Sequence, residues 1–333
     1  MIYHARVPLR VSILGGGSDL PEFIQMGGAG ACLSVSIPYY VHCYAAKTEF
    51  TEGLTLDPTI QTPLTMALLE KFFYEKDGMP RALQDTEGFN KITFFEDVPT
   101  MGTGLGSSAA WLRAMCTALK KHATVTDLFD VERSTGSSCG YQDHAAAANP
   151  GFALHEFRIK DEEKSPRHNR QSVPGDLDNH WILKNLNVFY LGGKRDSNNI
   201  LSEQAKNISS QFNAIKRMSL LAYMGYTAAC SSESNGMIIL KAAMTEAWEI
   251  KREFATGVTN DEIDTVYKAG IAAGGVIGGK ILGAGGSGYM MFITEPGYSP
   301  RLRSEMEKLG LRELIAGMER PAKADEWISG VGS

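Results

Sequence analysis

A run of glycines leading into two serines, Gly102-Thr103-Gly104-Leu105-Gly106-Ser107-Ser108, carries the clearest chemistry in this 333-residue chain. It follows a strand-like stretch and opens a run of helix formers from Ala109 to His122. The first amides of a helix have no internal partners and carry the positive end of its dipole. Glycines without Cβ let a polyphosphate lie against those amides, and a serine hydroxyl can reach a phosphate oxygen or a metal ion. The same pattern also suits a tight turn at Gly104 and Gly106, with Ser107 or Ser108 as an ordinary N-cap.

A second constellation is acidic. Glu132 falls on a helical stretch, and the turn from Gly136 to Gly140 returns the chain to Asp143 at the head of the next one. Two carboxylates joined in this way can converge, one holding a divalent cation and the other facing a substrate hydroxyl. Equally, they fit a solvated glutamate and a capping aspartate. Arg10 and Asp19 bracket the first glycine cluster, Gly15-Gly16-Gly17. There a charge in a β pattern is either exposed or aimed into a site.

Several familiar signatures fail. Gly274 to Lys280 supplies GxxxxGK, but Ile281 follows where a phosphate loop needs a hydroxyl. Gly283-Ala284-Gly285-Gly286-Ser287-Gly288 fits GxGxxG but precedes a strand pattern, the reverse of a dinucleotide fingerprint. No HxxxH or HxH pair supports a histidine metal centre, and no GxSxG elbow supports a hydrolase.

These groups need rigid elements to hold them. Strands are expected over Val7 to Leu14, Ala31 to Ala46, Lys91 to Asp97, Leu183 to Leu191, Tyr289 to Thr294 and Lys323 to Ile328. Helical spacing marks Pro63 to Tyr74, Ala109 to His122, a start near Thr126, and a short segment from Asp143 to Ala148 capped by Asp143. It also marks Asn199 to Tyr223, Gly236 to Phe254, Asn260 to Ala273 capped by Asn260 or Asp261, and Arg301 to Gly310. Residues 158–180 read as a polar loop or hairpin and suggest a boundary between domains 1–180 and 181–333. The class is α+β in two domains.

Composition narrows the function. Hydrophobic residues make up 43% and charged residues 21%, so the chain can fill a core and is not disordered. The net charge of −5, with no basic stripe, speaks against nucleic acid and anionic membranes. Five scattered cysteines without a CxxC, no signal-like start and no apolar run of membrane length point to a soluble cytoplasmic protein.

Taken together, the segments resemble the GHMP kinases, the superfamily of galactokinase, homoserine kinase, mevalonate kinase and phosphomevalonate kinase. Three motifs stand in the family's order. They are Arg6 to Arg10 running into Gly15-Gly16-Gly17-Ser18-Asp19, Pro99 to Ala109, close to PxxxGLGSSAA, and Lys280 to Gly288. Glu132-Arg133 lies eleven residues before Asp143, the spacing of the family's metal-binding Glu and catalytic Asp. Gly140-Tyr141-Gln142-Asp143-His144, Arg195-Asp196-Ser197 and Glu246 to Lys251 are similar to bacterial kinases that phosphorylate D-glycero-D-manno-heptose 7-phosphate at its anomeric hydroxyl. The chain departs from that subgroup at Pro99-Thr100-Met101, where Pro-Pro-Gly is usual, and at Ser287.

The resemblance implies an N-terminal domain like domain 2 of ribosomal protein S5 and a ferredoxin-like C-terminal domain. It implies ATP over Gly102, Gly104, Leu105, Gly106, Ser107 and Ser108, with Mg²⁺ held by Ser108 and Glu132. Asp143 would take or orient the acceptor proton, and Arg10 would lie by the transferred phosphate. Asp19, Gly16, Gly17, Gly285 and Gly286 would line the sugar side, with Arg195 or Lys251 meeting the sugar's own phosphate. Partners would be ATP and a sugar phosphate, and the protein a monomer or homodimer. A kinase for another sugar and a catalytically silent nucleotide and sugar sensor are the rival readings.

Overall fold

In the first strand, Ile2–Leu14, Ala5, Val7, Leu9, Val11 and Ile13 share one face and are buried to 1% exposure or less, while from Val7 onward the other face is buried as well. The computed structural model describes residues 2–46, 55–56, 61–73, 91–99, 102–159, 165–175, 177–192, 197–318, 321–322 and 328–329. The first half runs β1 (Ile2–Leu14), α1 (Pro21–Gln25), β2 (Gly30–Ala46), β3 (Thr55–Leu56), α2 (Pro63–Phe73) and β4 (Lys91–Glu96). Then come α3 (Ser107–Ala118), α4 (Val125–Ser134), α5 (Gln142–Ala148), β5 (Phe152–Arg158) and β6 (Arg167–Ser172). The second half holds α6 (Trp181–Lys184), β7 (Leu186–Gly192), α7 (Ser197–Ala229), α8 (Glu233–Arg252) and α9 (Asp261–Ala272). It closes with β8 (Val276–Ile281), β9 (Gly288–Thr294), α10 (Ser299–Lys308), β10 (Arg312–Ala316) and β11 (Ile328–Ser329).

Two sheets result. The larger runs β11-β1-β2-β4-β3, with β5 joined to β2 and to β6. The smaller is antiparallel throughout, in the order β10-β7-β9-β8. With helices after β7 and β9, that order is the βαββαβ plan of a ferredoxin-like sheet. The long α7 packs against β1, β2 and β5 as well as against α8, so it ties the two halves together. The chain also crosses back near its end, where β11 pairs with β1 at Tyr3 and His4.

One irregularity in β2 matters for the site. Between the pairs Pro8–Tyr40 and Arg10–Ser36 the register shifts, so β2 carries extra residues around Pro38. Proline offers no N–H to a ladder, and a bulge releases the facing backbone. The Arg10 amide turns instead to the Leu105 carbonyl at 3.1 Å, pinning the loop before α3 to β1.

Several expected elements differ. β5 and β10 are strands where no strand was read, and the strand after residue 180 begins at Leu186 because Trp181–Lys184 forms a helical turn. The Gly274–Lys280 segment is largely strand β8, buried along its whole length. The polar stretch 158–180 contains β6, which pairs as a hairpin with β5 just before it. The last strand appears only as Ile328–Ser329, since residues 323–327 lie outside the described residues.

Candidate active site

Gly106, in a left-handed conformation (φ 74°), is the N-cap of α3, so Ser107 and Ser108 are its first two helical residues and not its cap. A tight turn needs positive φ at that point, which glycine adopts without strain. Gly104 (φ +83°) has a second constraint. A Cβ there would stand 2.6 Å from the Gly283 nitrogen and 2.7 Å from the Leu282 oxygen. The first loop therefore rests backbone to backbone on the third glycine motif.

Asp143 is likewise not a cap. Tyr141 is the N-cap of α5, and Asp143 sits in the first turn, where the dipole favours a carboxylate. Its Oδ1 accepts from Arg10 Nε at 2.9 Å and from Arg10 Nη2. Arg10 Nη1 donates to the Gly104 carbonyl at 2.6 Å. One guanidinium thus joins β1, the glycine loop and α5. Arg10 is 4% exposed, whereas the Asp143 side chain keeps 28%, so the carboxylate is the reachable member of the pair.

Asp19 is buried and cross-braces the same region. Its carboxylate accepts from the Gly17 and Gln142 amides, each at 3.1 Å, and its carbonyl accepts from the Tyr141 amide. Burial is the main cause that raises its pKa above the usual carboxylate value, with the Gln142 amide opposing it and the Asp143 charge adding to it. Gly140 packs on this carboxylate so closely that a Cβ would overlap Asp19 Oδ2.

These groups face one cavity of about 450 Å³, within the range of small-molecule sites. Arg10, Gly16, Gly17, Asp19, Gly102, Gly104, Gly106, Ser107, Ser108, Glu132, Asp143, Lys251 and Gly285 all line it. Two expected residues do not. Leu105 is a fully buried core residue whose carbonyl serves Arg10, and the Gly286 amide and carbonyl are taken up by Val258 and Asn260. Arg195 lies outside the described residues, as do Thr100 and Met101 of the loop's start.

Glu132 and Ser108 supply a carboxylate and a hydroxyl to the same cavity, the hard oxygen donors that Mg²⁺ takes. Glu132 Oε1 accepts from Ser137 Oγ at 3.2 Å. Lys251 is deeply set, its Nζ donating to the Gly283 carbonyl at 2.5 Å. Burial, and then the neighbouring Lys280 and Arg10 charges, push its pKa well below the usual lysine value. An incoming anion would favour the charged form again. Gln142 was not singled out from sequence. It holds Ser12 Oγ at 2.8 Å through its own Oε1, and its place directly before Asp143 was the available signal.

A cavity between two α+β halves, floored by a glycine loop at a helix N-terminus, defines the class. The fold is that of the GHMP kinases, and residues 230–310 match the family model described as GHMP kinases C terminal. The class is that of phosphotransferases with an alcohol group as acceptor. Among curated relatives, the D-glycero-alpha-D-manno-heptose 7-phosphate kinase of Campylobacter jejuni subsp. jejuni serotype O:2 is 24% identical over 316 residues. That match covers 87% of this chain and 89% of the relative. A crystal structure of a D-glycero-D-manno-heptose 1-phosphate kinase from Bacteroides thetaiotaomicron superposes with a TM-score of 0.69 at 19% identity, covering 100% of both chains. The Streptococcus pneumoniae phosphomevalonate kinase in complex with phosphomevalonate and AMPPNP gives a TM-score of 0.67 at 14% identity, covering 94% of this chain and 98% of that one. Among the described residues, no helix is long and apolar enough to cross a membrane.

Proposed function

We propose that this chain transfers the γ-phosphoryl group of ATP to the anomeric hydroxyl of D-glycero-D-manno-heptose 7-phosphate, giving the 1,7-bisphosphate. The observation that carries the reading is the Arg10–Asp143 pair set against the glycine loop in one cavity. The Campylobacter relative's name, heptose 7-phosphate kinase, supports the substrate class, and the AMPPNP in the phosphomevalonate kinase complex supports ATP as donor.

In this reading the phosphates lie over Gly102 to Ser108 and the first amides of α3. Ser108 and Glu132 would hold Mg²⁺, which neutralises charge on the β- and γ-phosphates when bound. Arg10 fixes Asp143 through Oδ1, and among the described residues Oδ2 has no hydrogen-bond partner, leaving that oxygen for the acceptor hydroxyl. Asp143 orients that hydroxyl and takes its proton as the phosphoryl group arrives, while Arg10 adds positive charge beside the transfer. Lys251 is the candidate for the sugar's own phosphate.

The test is ³¹P NMR of the protein with Mg-ATP and the heptose 7-phosphate, with galactose, fucose and mannose for comparison. A new anomeric-phosphate resonance beside the 7-phosphate signal is expected. Reaction of an unphosphorylated sugar alone would move the assignment to another sugar 1-kinase. No turnover with retained nucleotide binding would favour a silent sensor.

A further inference from the structure

Glu132 has a second set of neighbours that the kinase reading does not use. The helices α4 and α5 and the turn between them bring together Glu132, Cys139 and His144, all buried. One carboxylate oxygen, the thiol sulfur and one ring nitrogen lie within 4.8 Å of one another. His144 is 0% exposed, yet among the described residues neither of its ring nitrogens has a hydrogen-bond partner. Its Nε2 stands 2.9 Å from Glu132 Oε2 without the alignment of a hydrogen bond.

A fully buried imidazole whose Nδ1 is unpaired and whose Nε2 meets only an ill-aligned carboxylate oxygen is rare, and a bound ion is one of the few things that explains it. The donor set is also distinctive. Oxygen, nitrogen and sulfur together suit a borderline-soft cation of the zinc class, not magnesium, which prefers oxygen alone. Tetrahedral zinc bonds of about 2.0–2.3 Å put donor atoms roughly 3.3–3.6 Å apart, so the Nε2–Oε2 pair at 2.9 Å needs to open by a few tenths of an ångström and separations of up to 4.8 Å to close by about one. Glu132 and Cys139 also line the cavity, which provides both an entry path and an open fourth position.

We propose that Glu132, Cys139 and His144 bind a thiophilic divalent cation of the zinc class, its fourth position open to the cavity. Bound there, the cation engages the carboxylate that the kinase reading, on which this one point rests, assigns with Ser108 to Mg²⁺. Binding itself does not depend on the kinase reading, because the site is read directly by metal titration.

The experiment uses the full chain carrying Cys230→Ser, since Cys230 is the exposed cysteine. Cobalt(II) is titrated in and absorbance followed. One equivalent is expected to produce a thiolate-to-cobalt charge-transfer band, which added zinc removes by displacement. Cys139→Ser in the same background is expected to abolish the band. It should weaken zinc binding by at least the roughly 10–100-fold that loss of even an outer-shell partner costs. Circular dichroism of the metal-free variant checks that it is folded. Absence of the band in the parent at one equivalent, or its survival in the folded Cys139→Ser variant, overturns the proposal.

Discussion

Arg10 and Asp143 stand 133 residues apart in the chain, and two donors of the guanidinium meet on one oxygen of the carboxylate. The third contact of the same side chain, to the Gly104 carbonyl, makes Arg10 the joint between the glycine loop and α5. A planar guanidinium holds its donors in a fixed fork that can grip one oxygen with two of them while a third reaches a second acceptor, a geometry that the compact ammonium of a lysine does not reproduce.

Asp143→Asn keeps an oxygen for Arg10 but removes the proton acceptor. The expected result is a kcat lower by about 10²–10⁴-fold, the usual range for losing a general base, with ATP binding little changed. Steady-state rates with Mg-ATP and the heptose phosphate check it, and a kcat near the parent's would take Asp143 out of the reaction.

Arg10→Lys keeps the charge and loses the fork. Hydrogen bonds to charged groups contribute about 1.5–3 kcal/mol each, so kcat should fall by roughly 10–100-fold with a smaller change in thermal stability. Equal loss of activity with Arg10→Met and unchanged activity with Arg10→Lys would show that charge, not geometry, is what matters.

Gly104→Ala and Gly297→Ala make a matched pair. Both glycines have a positive φ, +83° and +84°, but only at Gly104 does a Cβ meet backbone. Backbone strain alone costs on the order of 1–3 kcal/mol and should appear in both melting curves. The additional clash with Leu282 and Gly283 should lower the Gly104→Ala melting temperature further and raise its KM for ATP. A Gly297→Ala variant that is equally impaired in ATP use would refute the contact between the two glycine motifs as the cause.

Lys280 gives a pH signature. Burial lowers its pKa to about 8, while its Nζ donates to the Ile13 carbonyl at 3.3 Å. The unfolded chain, with an ordinary lysine near 10.4, binds more protons between those two values, so stability rises with pH across that window. Below pH 8 the full penalty of burying the charge, on the order of 3 kcal/mol, is present. Lys280→Met should therefore flatten the slope of stability between pH 8 and about 10.4 relative to the parent, as read by urea unfolding at several pH values. Parallel slopes would mean that the ammonium is not desolvated.

Lys251→Met tests the sugar-phosphate contact. KM for the phosphorylated heptose should rise by about 10–100-fold, the worth of one charge-assisted hydrogen bond, while an unphosphorylated sugar is spared. A similar rise for both substrates would assign Lys251 to holding the Gly283 carbonyl only.

Much of this architecture was legible locally. Asn260 caps α9 by accepting from the Ile263 amide, and α4, expected to start near Thr126, starts at Val125 with Thr124 as its cap in a reciprocal box with Asp127. Such caps involve groups three residues apart, so the sequence carries all the information they need. The glycine loop before Ser107 and the carboxylates at 132 and 143 were also readable, because spacing along the chain specifies them.

The strands β5 and β8 were not. β5 is buried from Phe152 to Phe157 and β8 throughout, so neither shows the alternation that betrays a half-buried strand. In β8, Gly278 and Gly279 lower the strand propensity. They fit because the side chains of Met244 and Phe292 occupy the space where a Cβ would stand. That reason exists only once α8 and β9 are in place.

Sequence by itself determined the residue types, the Asn260 cap and the order of the three glycine motifs, since these lie in the chain itself or in neighbours a few positions away. Tertiary structure alone decided which of them meet. The bulge at Pro38 freed the Arg10 amide for Leu105, Gly283 came to rest on Gly104, and Arg10 of β1 reached Asp143 of α5. Contacts between residues this far apart are set by how sheets and helices pack, and no local spacing encodes them.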